Sequence, residues 1–345
     1  MIAVIQPGMM TTIQDEGRMD FLAFGLPRAG VMDRYAARLA NLLCGNPISA
    51  AVLEMTMLGG AYKFENDGRV ALCGADMQPK LNEVPLACWT AVDVKASDVL
   101  ELGYAASGCR TYLAVRGGFD VPVIMGSRAT YIRAEIGGMQ GRKLKAGDKL
   151  PVGEAASPAM APVALNQDLI PDYPETFQLR ILLGPQEDLF ALEGREVLLQ
   201  SEYHISNEAD RMGYRIEGPP IKHLDKADIV SDALCRGAIQ VPGNGQPIIM
   251  MADCGTTGGY AKIATVIGSD LWKLAQGKPQ DRIRFVLCTD QEALEALAAE
   301  NVRYEKAAAI VAAGPVAAVP AAANAKKMVL KVNNISYTIE IEEVE

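Results

Sequence analysis

The sequence predicts a mostly β protein, organised as two β-rich domains with a few short helices. Three observations predict it. The chain has 345 residues, more than one hydrophobic core usually organises, so two domains of roughly 150 residues each are expected. Half of the residues are apolar and 22% are charged, which is a globular composition. Turn signals recur at short intervals, as in Gly59-Gly60, Asn66-Asp67-Gly68, Ser107-Gly108 and Gly117-Gly118. Many short strands separated by such turns point to a closed barrel.

The first domain spans residues 1–153. One helix interrupts its strands. From Asp33, a natural N-cap, Ala36, Leu39, Ala40 and Leu43 recur at helical spacing until Gly45-Asn46-Pro47 stops the run. Residues 154–176 turn to Ala, Pro and polar residues and read as a linker. The second domain, 177–303, opens with the strand Gln178-Leu179-Arg180-Ile181-Leu182-Leu183 and has its last strand near Arg282–Cys288. In it Ser269 is expected to cap a short helix reaching Gln276. A capping box, Thr289-Asp290-Gln291-Glu292, opens another helix. Residues 304–327 form an Ala/Pro spacer that can hold a module away from its host. In 328–345, apolar residues alternate around Asn333-Asn334, which predicts a β-hairpin. A lone hairpin is marginal in water, so this piece needs partner strands.

Composition narrows the function. A formal net charge of -9 with no cluster of Lys and Arg argues against nucleic acid as a partner. The N-terminal Met1-Ile2-Ala3-Val4-Ile5-Gln6-Pro7-Gly8 has neither the basic nor the long apolar region of a secretory signal. No run of 18 apolar residues occurs, so no membrane span is expected. Seven widely spaced cysteines, none in a Cys-x-x-Cys pair, read as free thiols of a cytoplasmic protein. His204 and His223 are the only histidines, so neither a metal site nor a Ser-His-Asp triad is expected. Phosphate-loop and dinucleotide glycine motifs are missing, and Gly126-Ser127-Arg128-Ala129 lacks the second glycine of a nucleophile elbow.

Polar clusters in apolar sequence mark candidate sites. The richest is Asp253-Cys254-Gly255-Thr256-Thr257-Gly258-Gly259-Tyr260-Ala261-Lys262. A buried strand, Met250-Met251-Ala252, delivers Asp253, and the glycines let backbone N–H groups approach a ligand. Asp253, Thr256, Thr257 and Lys262 supply a carboxylate, hydroxyls and an ammonium, the groups needed to deprotonate an amide nitrogen and stabilise an oxyanion. The same residues also fit a plain glycine-rich hairpin. Arg211 and Arg215 suit carboxylate recognition, or else pair with Asp210 and Glu208. Gln240 is either a satisfied core amide or a contact that orients a substrate amide. Gln14, Asp15 and Arg18 form a further polar turn beside Gly30-Val31-Met32-Asp33.

Read in order, Thr11-Thr12-Ile13-Gln14-Asp15-Glu16-Gly17-Arg18, Leu53-Glu54-Met55-Thr56, Gly137-Gly138-Met139-Gln140-Gly141-Arg142, Asp210-Arg211-Met212-Gly213-Tyr214-Arg215, Gly237-Ala238-Ile239-Gln240-Val241-Pro242 and Thr256-Thr257-Gly258-Gly259-Tyr260 resemble the KipA-like family. That family is also called the biotin-dependent carboxyltransferase family, or the family of the 5-oxoprolinase C subunit, and is similar to allophanate hydrolase subunit 2. The resemblance covers residues 1 to about 290. It implies two cyclophilin-like β-barrel domains, a KipI-like partner subunit and a small amide substrate, with Tyr260 counted among the substrate-binding residues. It implies either ATP-dependent opening of 5-oxoproline to glutamate, with a LamB/YcsF-like subunit, or carboxylation of a urea-like or lactam nitrogen, with a biotin carboxylase and carrier. ATP would then come through a partner subunit, and biotin on another chain. A non-catalytic role, sequestering a KipI-like kinase inhibitor, is the alternative. The family usually reads Asp-Arg-Gln-Thr-Thr-Gly-Gly-Tyr where this chain has Asp253-Cys254-Gly255-Thr256, which leaves the substrate open. The tail resembles the first hairpin of a biotinyl carrier domain without the Met-Lys-Met turn that carries biotin, and Lys327-Met328 is read as preceding its first strand.

Overall fold

A computed structural model describes residues 1–155 and 161–314 and the backbone of 326–332 and 335–341. Strands dominate, as expected. In the first domain a six-stranded sheet runs in the order Lys149–Leu150, Ile2–Gln6, Ala61–Phe64, Val99–Glu101, Lys80–Leu81, Val84–Pro85. A five-stranded sheet runs Met10–Gln14, Val52–Thr56, Ser107–Val115, Gly68–Asp76, Ala91–Val94. The two enclose one core, in which Ile2, Ile13, Leu53, Tyr62, Phe64, Leu72 and Leu113 are buried together.

The five-stranded sheet is covered on both faces. Because strand side chains alternate, Val70 and Leu72 enter the inter-sheet core while Ala71 and Cys73 meet the helix α1, Arg34–Leu43. Asp33 caps α1, its Oδ1 accepting from the Ala36 amide at 3.0 Å. A polar side chain on a strand in such a sheet has no water to turn to, so Glu54 and Arg110 must find partners inside.

The second domain is a closed barrel of seven strands, in the order Thr176–Leu183, Lys262–Val266, Ala238–Gln240, Ile248–Met250, Gly213–Glu217, Glu202–Ala209, Arg282–Leu287. The first and last strands close it by parallel pairing, Thr176 opposite Arg282 through Ile181 opposite Leu287. A separate ribbon pairs Asp228–Ala233 with Thr257–Tyr260. Helices α2, Leu192–Gln200, and α3, Leu271–Gln276, follow strands of this domain, and α4 spans Asp290–Ala313.

Several expectations change. Of the linker placed at 154–176, residues 156–160 lie outside the described residues, but from Val163 the chain is packed on the first domain. Val163, Leu165 and Leu169 are buried against α1, and extended chain at 163–165 bonds to Trp89 and Ala91. The spacer placed at 304–327 does not begin at 304, because α4 continues to Ala313. Alanine is the best helix former, and Ala307 and Val311 bury themselves beside α1; residues 315–325 lie outside the described residues. Ser269 does not cap α3. A 3-10 turn, Gly268–Asp270, precedes that helix, Asp270 occupies the cap position without a side-chain cap bond, and the Ser269 hydroxyl is buried with no partner.

The tail pairs Lys326–Val332 with Ile335–Ile341, so Lys327-Met328 belongs to the first strand rather than preceding it. The turn at Asn333-Asn334 lies outside the described residues.

The capping box of α4 is formed, with Thr289 and Glu292 bonded reciprocally. Thr289→Ala is therefore expected to cost about 1 kcal/mol in a urea titration followed by circular dichroism. An unchanged midpoint would show that α4 is held by its docking on α1 alone.

Candidate functional site

The two domains meet over a buried polar seam. Glu54, at the centre of the strand Val52–Thr56, accepts from the Met32 amide at 2.7 Å and the Tyr112 hydroxyl at 2.9 Å through Oε2. Its Oε1 accepts from Nη1 of Arg211 at 2.5 Å, and Nε of Arg110 lies 4.0 Å away. Burial pushes the Glu54 carboxyl up, but Arg211 and Arg110 outweigh it and hold the group below the usual carboxylate range. Arg110 spans the seam, donating to the Tyr214 hydroxyl at 2.5 Å and the Ala275 carbonyl at 2.6 Å. Gln276, at the end of α3, completes the join. Its Oε1 accepts from the amides of Cys109 and Arg110, and its Nε2 donates to Oδ2 of Asp33 and to the Arg110 carbonyl.

Arg211 and Asp253 are brought together on this seam. Nε and Nη2 of Arg211 fork onto the two carboxylate oxygens of Asp253 at 3.0 and 2.8 Å, and Nη2 also donates to the Gly30 carbonyl. Both side chains are nearly enclosed, with 10% and 9% of each exposed. Burial pushes the Asp253 carboxyl up and Arg211 offsets only part of that, so it stays above the ordinary value. A carboxylate held this way keeps two lone-pair directions for a ligand N–H but is fixed in orientation.

Arg18 is buried on the first-domain side. Nη2 donates to the Ala129 carbonyl at 2.7 Å, while Nε and Nη1 have no partner. Burial lowers its pKa, against the pull of Asp15 and Asp253. Gln14 donates to Thr12 and to the Thr130 carbonyl, and its Oε1 is likewise buried without a partner. Asp15 is occupied by the turn itself, accepting from the Gly17 and Arg128 amides and the Ser127 hydroxyl.

The remaining predicted residues lie elsewhere. Lys262 is buried along its stem and its Nζ meets Asp232 at 2.7 Å, on the ribbon beside the barrel. Gln240, opposite Lys262 in register, donates to the Tyr260 carbonyl at 3.2 Å. A Cβ on Gly258 would come within 2.5 Å of the Gln240 Nε2 and 2.7 Å of the Leu234 side chain, so any larger residue there would displace both side chains. Thr257 and Tyr260 bound the ribbon strand and Thr256 precedes it. The ten-residue segment from Asp253 to Lys262 thus serves two clusters, a seam cluster at Asp253 and a ribbon cluster at Lys262. Arg215 joins neither. Strand alternation turns it outward, where it pairs with Glu208, and both side chains are more than half exposed.

Arg110, Tyr112 and Gln276 were not singled out by sequence as site residues, and Glu54 only within the family motif Leu53-Glu54-Met55-Thr56. The available signal was a lone carboxylate inside the apolar run Val52-Leu53-Glu54-Met55. Among the described residues no group of three His, Cys, Asp or Glu side chains converges as a metal site. No described helix is long and apolar enough to cross a membrane.

The sequence model of the carboxyltransferase domain, subdomain A and B, matches residues 24–287. This chain belongs to that family. It is 39% identical to the 5-oxoprolinase C subunit of Escherichia coli over 310 residues, which is 89% of this chain and 98% of that protein. It is 34% identical to a putative urea carboxylase of Emericella nidulans over 82% of this chain but only 24% of that protein. The crystal structure of the Kluyveromyces lactis urea carboxylase superposes with a TM-score of 0.84 at 30% identity, over 89% of this chain and 29% of that one. Among these relatives, this carboxyltransferase-domain chain spans nearly all of the 5-oxoprolinase C subunit and under a third of the two urea carboxylases.

Proposed function

We propose that the chain is the carboxyltransferase-like subunit of a 5-oxoprolinase, acting with a KipI-like subunit and a LamB/YcsF-like subunit to open a small cyclic amide at the expense of ATP. What carries the reading is correspondence along the whole length of the 5-oxoprolinase C subunit, 98% of it, against 24% of the urea carboxylase. In this reading Asp253, oriented by Arg211, accepts the substrate amide N–H, and Arg18 offers its uncommitted N–H groups to the developing oxyanion. Lys262, bonded to Asp232, and Gln240, bonded to the Tyr260 carbonyl, stay with Thr256, Thr257 and Tyr260 in the ribbon cluster and are given no step in this reading. ATP belongs to a partner subunit, since the sequence has no phosphate loop.

A second reading, carboxyl transfer from biotin, is favoured by the tail hairpin. Its strands pair from Lys326 opposite Ile341 through Val332 opposite Ile335, and the sequence contains no Met-Lys-Met run. Biotin in this reading is carried by another chain, and no step on this chain is derived through it.

Co-purifying the chain with its partner subunits and following ADP release with 5-oxoproline, or with urea, bicarbonate and a biotinylated carrier, separates the readings. Glutamate formation that requires this chain is expected. A complex that forms but turns over neither substrate would replace the enzyme reading with a sequestering one.

A further inference from the structure

On the far side of the turn that carries Asp253 lies a cleft of about 550 Å³. Its walls come from the loop before α1 and α1 itself, from the barrel turn Met251 to Gly255, and from α4. Its charge is one-sided. Arg28, Arg34, Arg38 and Arg236 line it, and Glu300 is the only carboxylate among the lining residues.

The four guanidiniums are not equally committed. Arg38 is neutralised by a fork onto Glu16 at 2.8 and 2.9 Å. Arg28 reaches only a backbone carbonyl, that of Glu16, at 3.2 Å. Arg236 donates to the Val31 and Met32 carbonyls, and its Nε is buried with no partner. Arg34 makes no hydrogen bond or ion pair among the described residues. Three arginines thus face the cleft without a carboxylate of their own. Burial lowers the pKa of all three; repulsion from Arg34 adds to it at Arg28 and at Arg236, which falls to about 10, while Glu16 and Glu300 pull that of Arg34 part of the way back. Like charges gathered away from water are unfavourable unless an anion joins them, and guanidinium forks match carboxylate and phosphate geometry. Met32, Met251, Leu271 and Trp272 give the cleft an apolar floor, so the ligand has a compact apolar body as well as a charged end.

We infer that this cleft is a binding site for a small organic or inorganic anion, a carboxylate or a phosphate, gripped by Arg28, Arg34 and Arg236. It rests on the oxoprolinase reading only for the choice of one probe. Binding to the isolated chain is measured apart from turnover by the complex, so either can fail alone.

The test is calorimetric titration of the purified full-length chain with inorganic phosphate and, separately, with 5-oxoproline, at constant ionic strength. Saturable one-site binding of one of them is expected, phosphate marking a phosphoryl ligand and 5-oxoproline a carboxylate ligand. Arg34→Gln, which breaks no bond in the folded chain, and Arg28→Gln should each weaken it by about tenfold or more. Glu300→Gln, which removes the opposing charge, should tighten it. Absence of saturable binding of both probes up to on the order of 10 mM, or an affinity in both arginine variants equal to that of the native chain, would overturn the assignment.

Discussion

Arg211→Met should destabilise the folded chain by about 3–5 kcal/mol, the usual consequence of leaving buried charges without their partner. Arg211 serves two carboxylates at once, Glu54 of the first domain and Asp253 of the second. Glu54 is 1% exposed and keeps its charge only because Arg211 and Arg110 outweigh burial. Without Arg211, Arg110 at 4.0 Å is the one cation left to Glu54, and Asp253 has none in contact. Unfolding in urea, read from Trp89 in the first domain and Trp272 in the second, reports the loss domain by domain. Adding Glu54→Gln and Asp253→Asn to Arg211→Met should recover much of the stability, because the uncompensated charges go with their partner. Arg215→Met, which breaks an exposed pair with Glu208, should change stability by less than about 1 kcal/mol. If both arginine variants lost similar amounts, the seam would be no stronger than a surface ion pair.

The contrast between those two arginines shows what the sequence could reveal. Four residues apart around a glycine, they look like a matched pair. Whether each meets a carboxylate of the substrate, of the surface or of the core depends on strand direction and on a contact 157 residues away in the chain, from Arg211 to Glu54. Local periodicity specified α1, the Asp33 cap, the Thr289 capping box and the tail hairpin, because each is a matter of neighbours within a few residues. The alternation of Val70 and Leu72 with Ala71 and Cys73 shows a strand buried on both faces, yet nothing in it says that one face meets a second sheet and the other a helix. The separation of Asp253 from Lys262 was hidden for the same reason. The intervening Thr257–Tyr260 leaves the barrel to pair with Asp228–Ala233, a partner too distant in sequence for a spacing argument to find. The arginine cleft is drawn from the loop before α1, from the barrel turn and from α4, so no single segment carried its charge pattern.

Asp33 gives the second large effect, and its sign opposes that of ordinary surface carboxylates. It is 1% exposed, and burial raises its pKa from 3.8 to about 6 despite the bonds it accepts from Gln276 and the Ala36 amide. A folded-state value above the unfolded one means that the folded chain binds the proton more tightly. Asp33 therefore adds stability as pH falls, fully below about 3.8 and not at all above about 6. A shift from 3.8 to about 6 at 1.36 kcal/mol per unit is worth about 3 kcal/mol in full, of which about 2 kcal/mol is gained between pH 7 and pH 4, where the unfolded carboxyl is already partly protonated. Glu54 acts in the other direction, since its lowered pKa makes its contribution disappear on acidification, so the profile of the native chain alone mixes the two. Comparison with Asp33→Asn isolates the term. Asparagine caps helices as well as aspartate does, and although its amide would face Nε2 of Gln276, that penalty is the same at every pH. The difference in unfolding free energy between the native chain and Asp33→Asn should therefore move by about 2 kcal/mol in favour of the native chain from pH 7 to pH 4. A difference that stays flat across this range would mean that Gln276 and the cap bond fully offset burial, leaving Asp33 charged in the seam at every pH where the protein folds.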